Sequence, residues 1–281
     1  MSLKETCIVA LKQGAWTFSV LGPQFRSALI KRVQGGNPAL SVHDRSLMEL
    51  TLLGYRGNIP TGDRVQSTKR MIDPAVQSKP VQISLQLLAE ATVDGSEVSA
   101  FTPLEEERIR SASEQIARLA PAMAKEYHQW ITHFLKLEGV PFRSASHPHA
   151  FGCIFLSSRI AAMTPVELAT SLVHEMGHQD LFLLNIIDRL IQKEADYKLA
   201  HAPFQGTCRP PIGRLHSYFA LYRMIQFQHQ AGLDTRNYRR LFSETKGSFA
   251  EDELTEYGFQ IVEAAFDFVE KHSPPMEHRF A

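Results

Sequence analysis

Leu172-Val173-His174-Glu175-Met176-Gly177-His178 decides how this chain reads. It carries H-E-x-x-H inside an apolar segment with helical spacing. On an α-helix, positions i and i+4 stack on one face, so His174 and His178 can reach the same divalent metal. Glu175 lies about 100° around that helix, close enough to touch a water or a substrate at the metal without being a ligand. Thr164-Pro165-Val166-Glu167 upstream is a capping box with proline at the first helical position. Leu168, Leu172, Val173 and Met176 then recur at helical spacing, and Leu181, Phe182, Leu184, Ile187, Leu190 and Ile191 continue the apolar content. The competing reading is a helix with two ordinary histidines. Apolar surroundings weigh against it, because buried histidine and glutamate are costly unless paired or bound to metal.

The rest of the chain is read outward from this helix. Phe151 to Ser157 is an apolar run of strand length that feeds into it, and Ser144 to His149 before the run is polar. Thr102-Pro103-Leu104-Glu105 is a second capping box. It opens a helical segment to about Leu137, broken or kinked at Pro121 and ended by Gly139. Ile109, Ile116, Leu119, Met123, Tyr127, Trp130, Ile131 and Phe134 give that segment a core-facing stripe. Residues 23–33, 41–53 and 74–91 read as helices, and 56–66 as a loop. After the H-E-x-x-H helix, His201 to Pro211 reads as a loop and Ile212 to Gln230 as a helix. Ser248-Phe249-Ala250-Glu251 reads as a third capping box, opening a final helix to about Lys271.

The expected fold is mainly α with a small β component. The H-E-x-x-H helix lies beside a short strand, and a third ligand comes from a following helix. Residues 1–140 form a helical N-terminal region for substrate or partner binding, and 141–281 form the metal-binding catalytic part of one continuous globular unit.

Composition excludes several classes. Lys+Arg 30 balances Asp+Glu 30, so no global field favours nucleic acid or an anionic membrane. No apolar run approaches the ~20 residues that span a bilayer. The N-terminus lacks the charged and apolar regions of a secretory signal. Cys7, Cys153 and Cys208 are odd in number and far apart, giving neither a disulfide framework nor Cys-x-x-Cys spacing. A reducing cytoplasm is the expected compartment, and oligomeric state is open.

Three residues compete to be the third ligand. Glu194 resembles the downstream glutamate of thermolysin-type peptidases, but the interval from His178 is short and Lys193 stands where that group has asparagine. His201 lies in the loop. A metzincin pattern fails, since Leu181 and Leu184 occupy its glycine and histidine positions. His216 is the best candidate, because two antiparallel helices joined by a loop would return it to the metal.

Leu172 to His178, taken with Arg209-Pro210-Pro211-Ile212-Gly213-Arg214-Leu215-His216-Ser217-Tyr218-Phe219-Ala220, resembles the HExxH peptide-modification family found with bacterial ribosomally made peptide clusters. That family shows Leu-Val-His-Glu-x-x-His followed by Arg-Pro-Leu-x-Gly-x-Leu-His-Gly-x-Tyr-Ala. The likeness covers about residues 144–225. Pro211-Ile212 stands for Pro-Leu and Ser217 for the usual glycine, and neither change removes a ligand.

The resemblance implies an Fe(II)- and 2-oxoglutarate-dependent oxygenase. It would use O2 to hydroxylate an unactivated carbon, notably a β-carbon, of a peptide, including a leader-bearing one, or of a carrier-bound amino acid in natural-product biosynthesis. His174, His178 and His216 would bind iron, departing from the usual two-histidine, one-carboxylate set. Glu175 would orient a ligand or the substrate. The distal carboxylate of 2-oxoglutarate requires a cation, and a guanidinium binds it in a fork. Arg209, on the family-like run, is the first choice, with Arg214, Arg223 and Arg159 also in reach. Tyr218 and Ser157 are candidate polar contacts to substrate. His147 and His149 could face it too, although a solvated loop explains them as well. The alternative is a zinc metallopeptidase in which Glu175 is the general base. A third reading is a metal-stabilised peptide-binding module without turnover.

Overall fold

The computed structural model describes residues 2–14, 70–71, 96–131, 133–150 and 152–272. The expected helices at 23–33, 41–53 and 74–91, and the loop at 56–66, lie outside these. The protein is mainly α-helical with small sheets, as the sequence indicates. It divides into two compact units, one joining Met1–Leu21 to Asp180–Ala281, the other holding Gly22–Gln179. The division falls inside the H-E-x-x-H helix, whereas the sequence reading drew it at residue 140.

The Gly22–Gln179 unit is built around a five-stranded sheet. Strands β1 (Arg70–Met71), β3 (His133–Glu138), β5 (Cys153–Ser157) and β4 (Ser144–Ala145) lie side by side in that order, and β2 (Glu97–Ser99) also pairs with β3. Central β3 and β5 run parallel over five residue pairs, while β4 is antiparallel to β5. Every residue of β5 is buried, which is why it reads as a continuous apolar run. Leu135, Leu137, Val140, Ala150, Cys153 and Phe155 form the core on this sheet.

Helices α2 (Pro103–Leu119) and α3 (Pro121–Trp130) precede β3. Thr102 caps α2 in the expected box with Glu105, and Pro121 begins α3 at the expected break. The expected helix to Leu137 does not form. The chain turns extended at Ile131, and His133 to Glu138 become β3. The apolar residues of this segment fit either period, and pairing with β1, β2 and β5 decides for strand. Gly139, at φ 69°, ends a strand, not a helix. Inside the strand Lys136 is buried, and the capping glutamate Glu105 (2.9 Å) and Glu138 (2.5 Å) neutralise it.

The other unit is helical. It contains α1 (Leu3–Lys12), the last turns of α4 (Pro165–Ile187), α5 (Pro211–Gln230), α6 (Arg236–Gly247) and α7 (Glu256–Lys271). Helix α5 is its centre, since Arg214, Leu215 and Ser217 to Phe227 are all buried. The Tyr218 ring stacks on Phe242 of α6, with centroids 4.1 Å apart. Its hydroxyl donates to the Val262 carbonyl of α7, and that of Tyr222 donates to the Leu11 carbonyl of α1. The expected loop at 201–211 contains a short antiparallel hairpin, β6 (Ala200–Ala202) and β7 (Thr207–Arg209).

The final helix starts later than the sequence suggested. Thr255 caps it, and Ser248 closes α6 by donating to the Thr245 carbonyl. Glu253 holds the Ala250 amide in the intervening turn. Helix α6 buries only Phe242 and Thr245, too narrow a stripe to read from spacing. No helix among the described residues is long and apolar enough to cross a membrane.

Candidate metal centre

Helix α4 is fixed at both ends of its first half. At the start, Glu167 accepts from the Thr164 amide and hydroxyl, both at 2.8 Å, and its own amide donates back to Thr164. This is the capping box the sequence shows, and it satisfies amides that a helix start leaves open. Leu168, Ala169, Leu172, Val173 and Met176 are buried. Further along, Gln179 accepts from the Gly152 amide at 3.1 Å and donates to the Cys153 carbonyl at 3.3 Å. The buried amide thus ties the helix to the start of β5, the strand the sequence placed beside it.

His174 and His178 project from one face. Their Nε2 atoms are 3.0 Å apart, and the rings meet edge to face with centroids 4.6 Å apart. Two imidazole nitrogens bound to one ion at about 2.0–2.1 Å would lie about 2.9 Å apart at a right angle and about 3.4 Å apart at a tetrahedral angle. The observed separation lies in that range, so the pair fits a metal. Burial pushes the His174 imidazolium pKa down, against the upward pull of Glu175. Its neutral form, the one that ligates, is therefore favoured.

Glu175 completes a group whose ligand atoms all lie within 4.8 Å of one another. Its carboxylate is buried. Ser144 on β4 donates to Oε1 at 2.6 Å and also bonds to Ser171 at 3.0 Å. Oε1 is 3.9 Å from His174 Nε2, while Oε2 is buried with no hydrogen-bond partner. A buried carboxylate oxygen without a partner is costly, and a cation or a donor arriving at this site would relieve that cost. Two imidazoles and one carboxylate, its Oε2 open, form a group that could hold a metal ion.

Two other candidates of this unit are engaged with backbone. Ser157 is buried and donates to the Arg143 carbonyl at 3.3 Å, and Arg159 is exposed and donates to the Pro141 carbonyl at 2.7 Å. His149 belongs to a single 3-10 turn, Pro148–Ala150, just after His147.

The remaining candidates belong to the helical unit. His216 is half-buried on α5, its ring edge-on to Phe182 with centroids 5.0 Å apart. Phe182 lies one turn beyond His178 on α4. Arg214 and Arg223 are fully buried and engaged inside the protein, which argues against their service to a co-substrate. Arg214 pairs with Glu253 at 2.7 Å and donates to the Ser248 carbonyl. Arg223 pairs with Asp180 at 2.6 Å and donates to Gln226. Tyr218 is equally enclosed, its hydroxyl held by the Val262 carbonyl. Arg209 alone of the four arginines is exposed with no side-chain hydrogen bond or ion pair among the described residues. Glu194 and His201 are exposed.

Sequence reasoning missed Ser144, Ser171, Gln179 and Asp180. The last two carried a signal, a polar pair set directly after H-E-x-x-H in an apolar helix. Ser144 carried none, since it reaches Glu175 only through the pairing of β4 with β5. In comparison with known proteins, the chain matches no family model and no curated protein sequence.

Proposed function

We propose that this protein is an Fe(II)- and 2-oxoglutarate-dependent oxygenase that hydroxylates an sp³ carbon, a β-carbon first among them, of a peptide. The observation that carries the reading is the convergence of the His174 and His178 nitrogens, 3.0 Å apart, beside a carboxylate steadied by Ser144. In this reading His216 is the third ligand, as the resemblance carried by residues 209–220 implies. Three neutral imidazoles would leave the full charge of the metal uncompensated, which favours an anionic chelating co-substrate. When bound, iron with 2-oxoglutarate and O2 supplies oxidative decarboxylation of the co-acid coupled to hydroxylation of a C–H bond.

The residues of the chain bind and orient. Arg209 is exposed and without a protein partner among the described residues, and in this reading it takes the distal carboxylate of 2-oxoglutarate in a fork. Glu175 presents its open Oε2 to a donor on the peptide or to a water, while Ser144 holds the other oxygen.

Glu175 also favours a second reading, a zinc metallopeptidase. A buried carboxylate with one open oxygen beside two metal-binding imidazoles suits a general base for water.

Turnover separates the two. The Fe(II)-loaded protein, given 2-oxoglutarate and air, is expected to form succinate, and His174→Ala is expected to abolish this. Peptide cleavage by the zinc-loaded protein, lost in Glu175→Gln and without any succinate from the iron form, would replace the oxygenase with the peptidase.

A further inference from the structure

Ser171 stands one turn before Glu175 on α4. It projects about 60° around the helix from His174, between His178 at about 40° and Glu175 at about 100°. The face that carries the metal-binding group thus carries a serine as well. Its hydroxyl lies 3.0 Å from Ser144 Oγ on β4, and Ser144 donates to Glu175 Oε1 at 2.6 Å. All of these residues belong to the Gly22–Gln179 unit.

The direction of these hydrogen bonds follows from counting protons. A serine hydroxyl holds one. Ser144 gives its own to Glu175, so toward Ser171 it can only accept, and Ser171 is the donor. The chain runs one way, from Ser171 to Ser144 to Glu175. Ser171 has another acceptor in reach, because a helical serine or threonine can return its hydroxyl to the carbonyl one turn back. Thr170 does so to Val166, Ser113 to Ile109 and Ser217 to Gly213. Among the described residues Ser171 makes no such bond. The bond it makes instead orients Ser144, leaving the Ser144 proton aimed at Oε1, and each bond of such a chain strengthens the next. Oε1 is thereby held 3.9 Å from His174 Nε2, while Oε2 stays open.

We infer that Ser171 and Ser144 are positioning residues that fix the Glu175 carboxylate beside the histidine pair, with Ser171 acting only through Ser144. The inference rests on the reading of H-E-x-x-H as a metal site at which Glu175 works, and it holds for the oxygenase and the peptidase alike.

The test reads Glu175 itself, by nuclear magnetic resonance of the metal-free full chain labelled with carbon-13 at the glutamate carboxyl carbons. The Glu175 resonance is identified by its loss in Glu175→Gln. Ser144→Ala is expected to shift it. Ser171→Ala, which removes no hydrogen bond of Glu175, is expected to shift it too, and Ser171→Thr, which keeps the hydroxyl, to restore it. In the Ser144→Ala background Ser171→Ala is expected to add nothing, because the chain is already cut. In turnover, whether succinate from the iron form or peptide cleavage by the zinc form, Ser171→Ala is expected to lower kcat about tenfold with KM unchanged. A Glu175 resonance indifferent to Ser171→Ala, or shifts from the two serine changes that simply add, would overturn the inference. Should Ser144→Ala fail to fold, Ser171→Ala and Ser171→Thr decide alone. The resonance is read without metal, so an iron-loaded chain that forms no succinate counts against the oxygenase and leaves the carboxylate result standing.

Discussion

Ser144 Oγ donates to Glu175 Oε1 at 2.6 Å, joining edge strand β4 to the acidic residue of H-E-x-x-H. The bond leaves Oε2 as the only carboxylate atom of Glu175 without a partner, enclosed and beside two histidines. Ser144→Ala should therefore strip a buried carboxylate of its one bond. The expected cost is about 1–3 kcal/mol in urea unfolding of the metal-free protein. In Glu175→Gln the same serine change should cost measurably less, since a neutral amide tolerates burial better.

Arg214 and Arg209 should behave in opposite ways. Glu253→Ala leaves the buried Arg214 guanidinium without its carboxylate, and the expected loss is about 3–5 kcal/mol of stability. Arg209→Ala removes an exposed side chain, and unfolding should shift by no more than about 0.5 kcal/mol. Its effect should appear in 2-oxoglutarate affinity, weakened about tenfold or more with Fe(II) affinity unchanged. Chemical unfolding with equilibrium binding separates the two.

The start of α4 should weaken in acid. Hydrogen bonds from the Thr164 amide and hydroxyl hold the Glu167 carboxyl below its ordinary value of 4.5. A depressed folded pKa contributes stability that is complete above the unfolded value and lost as pH falls through the folded one. Glu167→Gln should therefore lower Tm at neutral pH. The gap to the unaltered protein should close only as pH falls below about 4.5. A gap constant across that window would contradict the capping role.

Much of the site was legible because it is local. The i, i+4 spacing of His174 and His178, the Thr164–Glu167 box and the apolar run at β5 each depend on residues close in the chain. What sequence could not show depends on distant partners. Arg214 and Arg223 looked like cations available to a ligand, and only the packing of Glu253 and Asp180 against them makes them internal. His133 to Glu138 looked helical because its apolar residues fit both periods, and pairing with β5 decided otherwise. Lys136, a charge within that run, became tolerable only because Glu105 reaches it from α2.

Gly258 near the start of α7 illustrates the same dependence. A β-carbon there would fall on the Leu190 carbonyl oxygen, a backbone atom that cannot swing away. Alanine gains up to about 1 kcal/mol in helix propensity. The clash should outweigh it, for a net loss of about 1–3 kcal/mol. Thermal unfolding of Gly258→Ala checks this, and a rise in Tm would show that the Leu190 turn yields.

The proposed iron site, with His174, His178 and His216 as ligands and 2-oxoglutarate as chelating co-substrate, meets its sharpest test in an anaerobic titration. The Fe(II)-loaded protein is titrated with 2-oxoglutarate while the visible spectrum is followed. A weak, saturable metal-to-ligand charge-transfer band that is lost in His216→Ala is expected. Absence of the band in the unaltered protein, despite bound Fe(II), would contradict it.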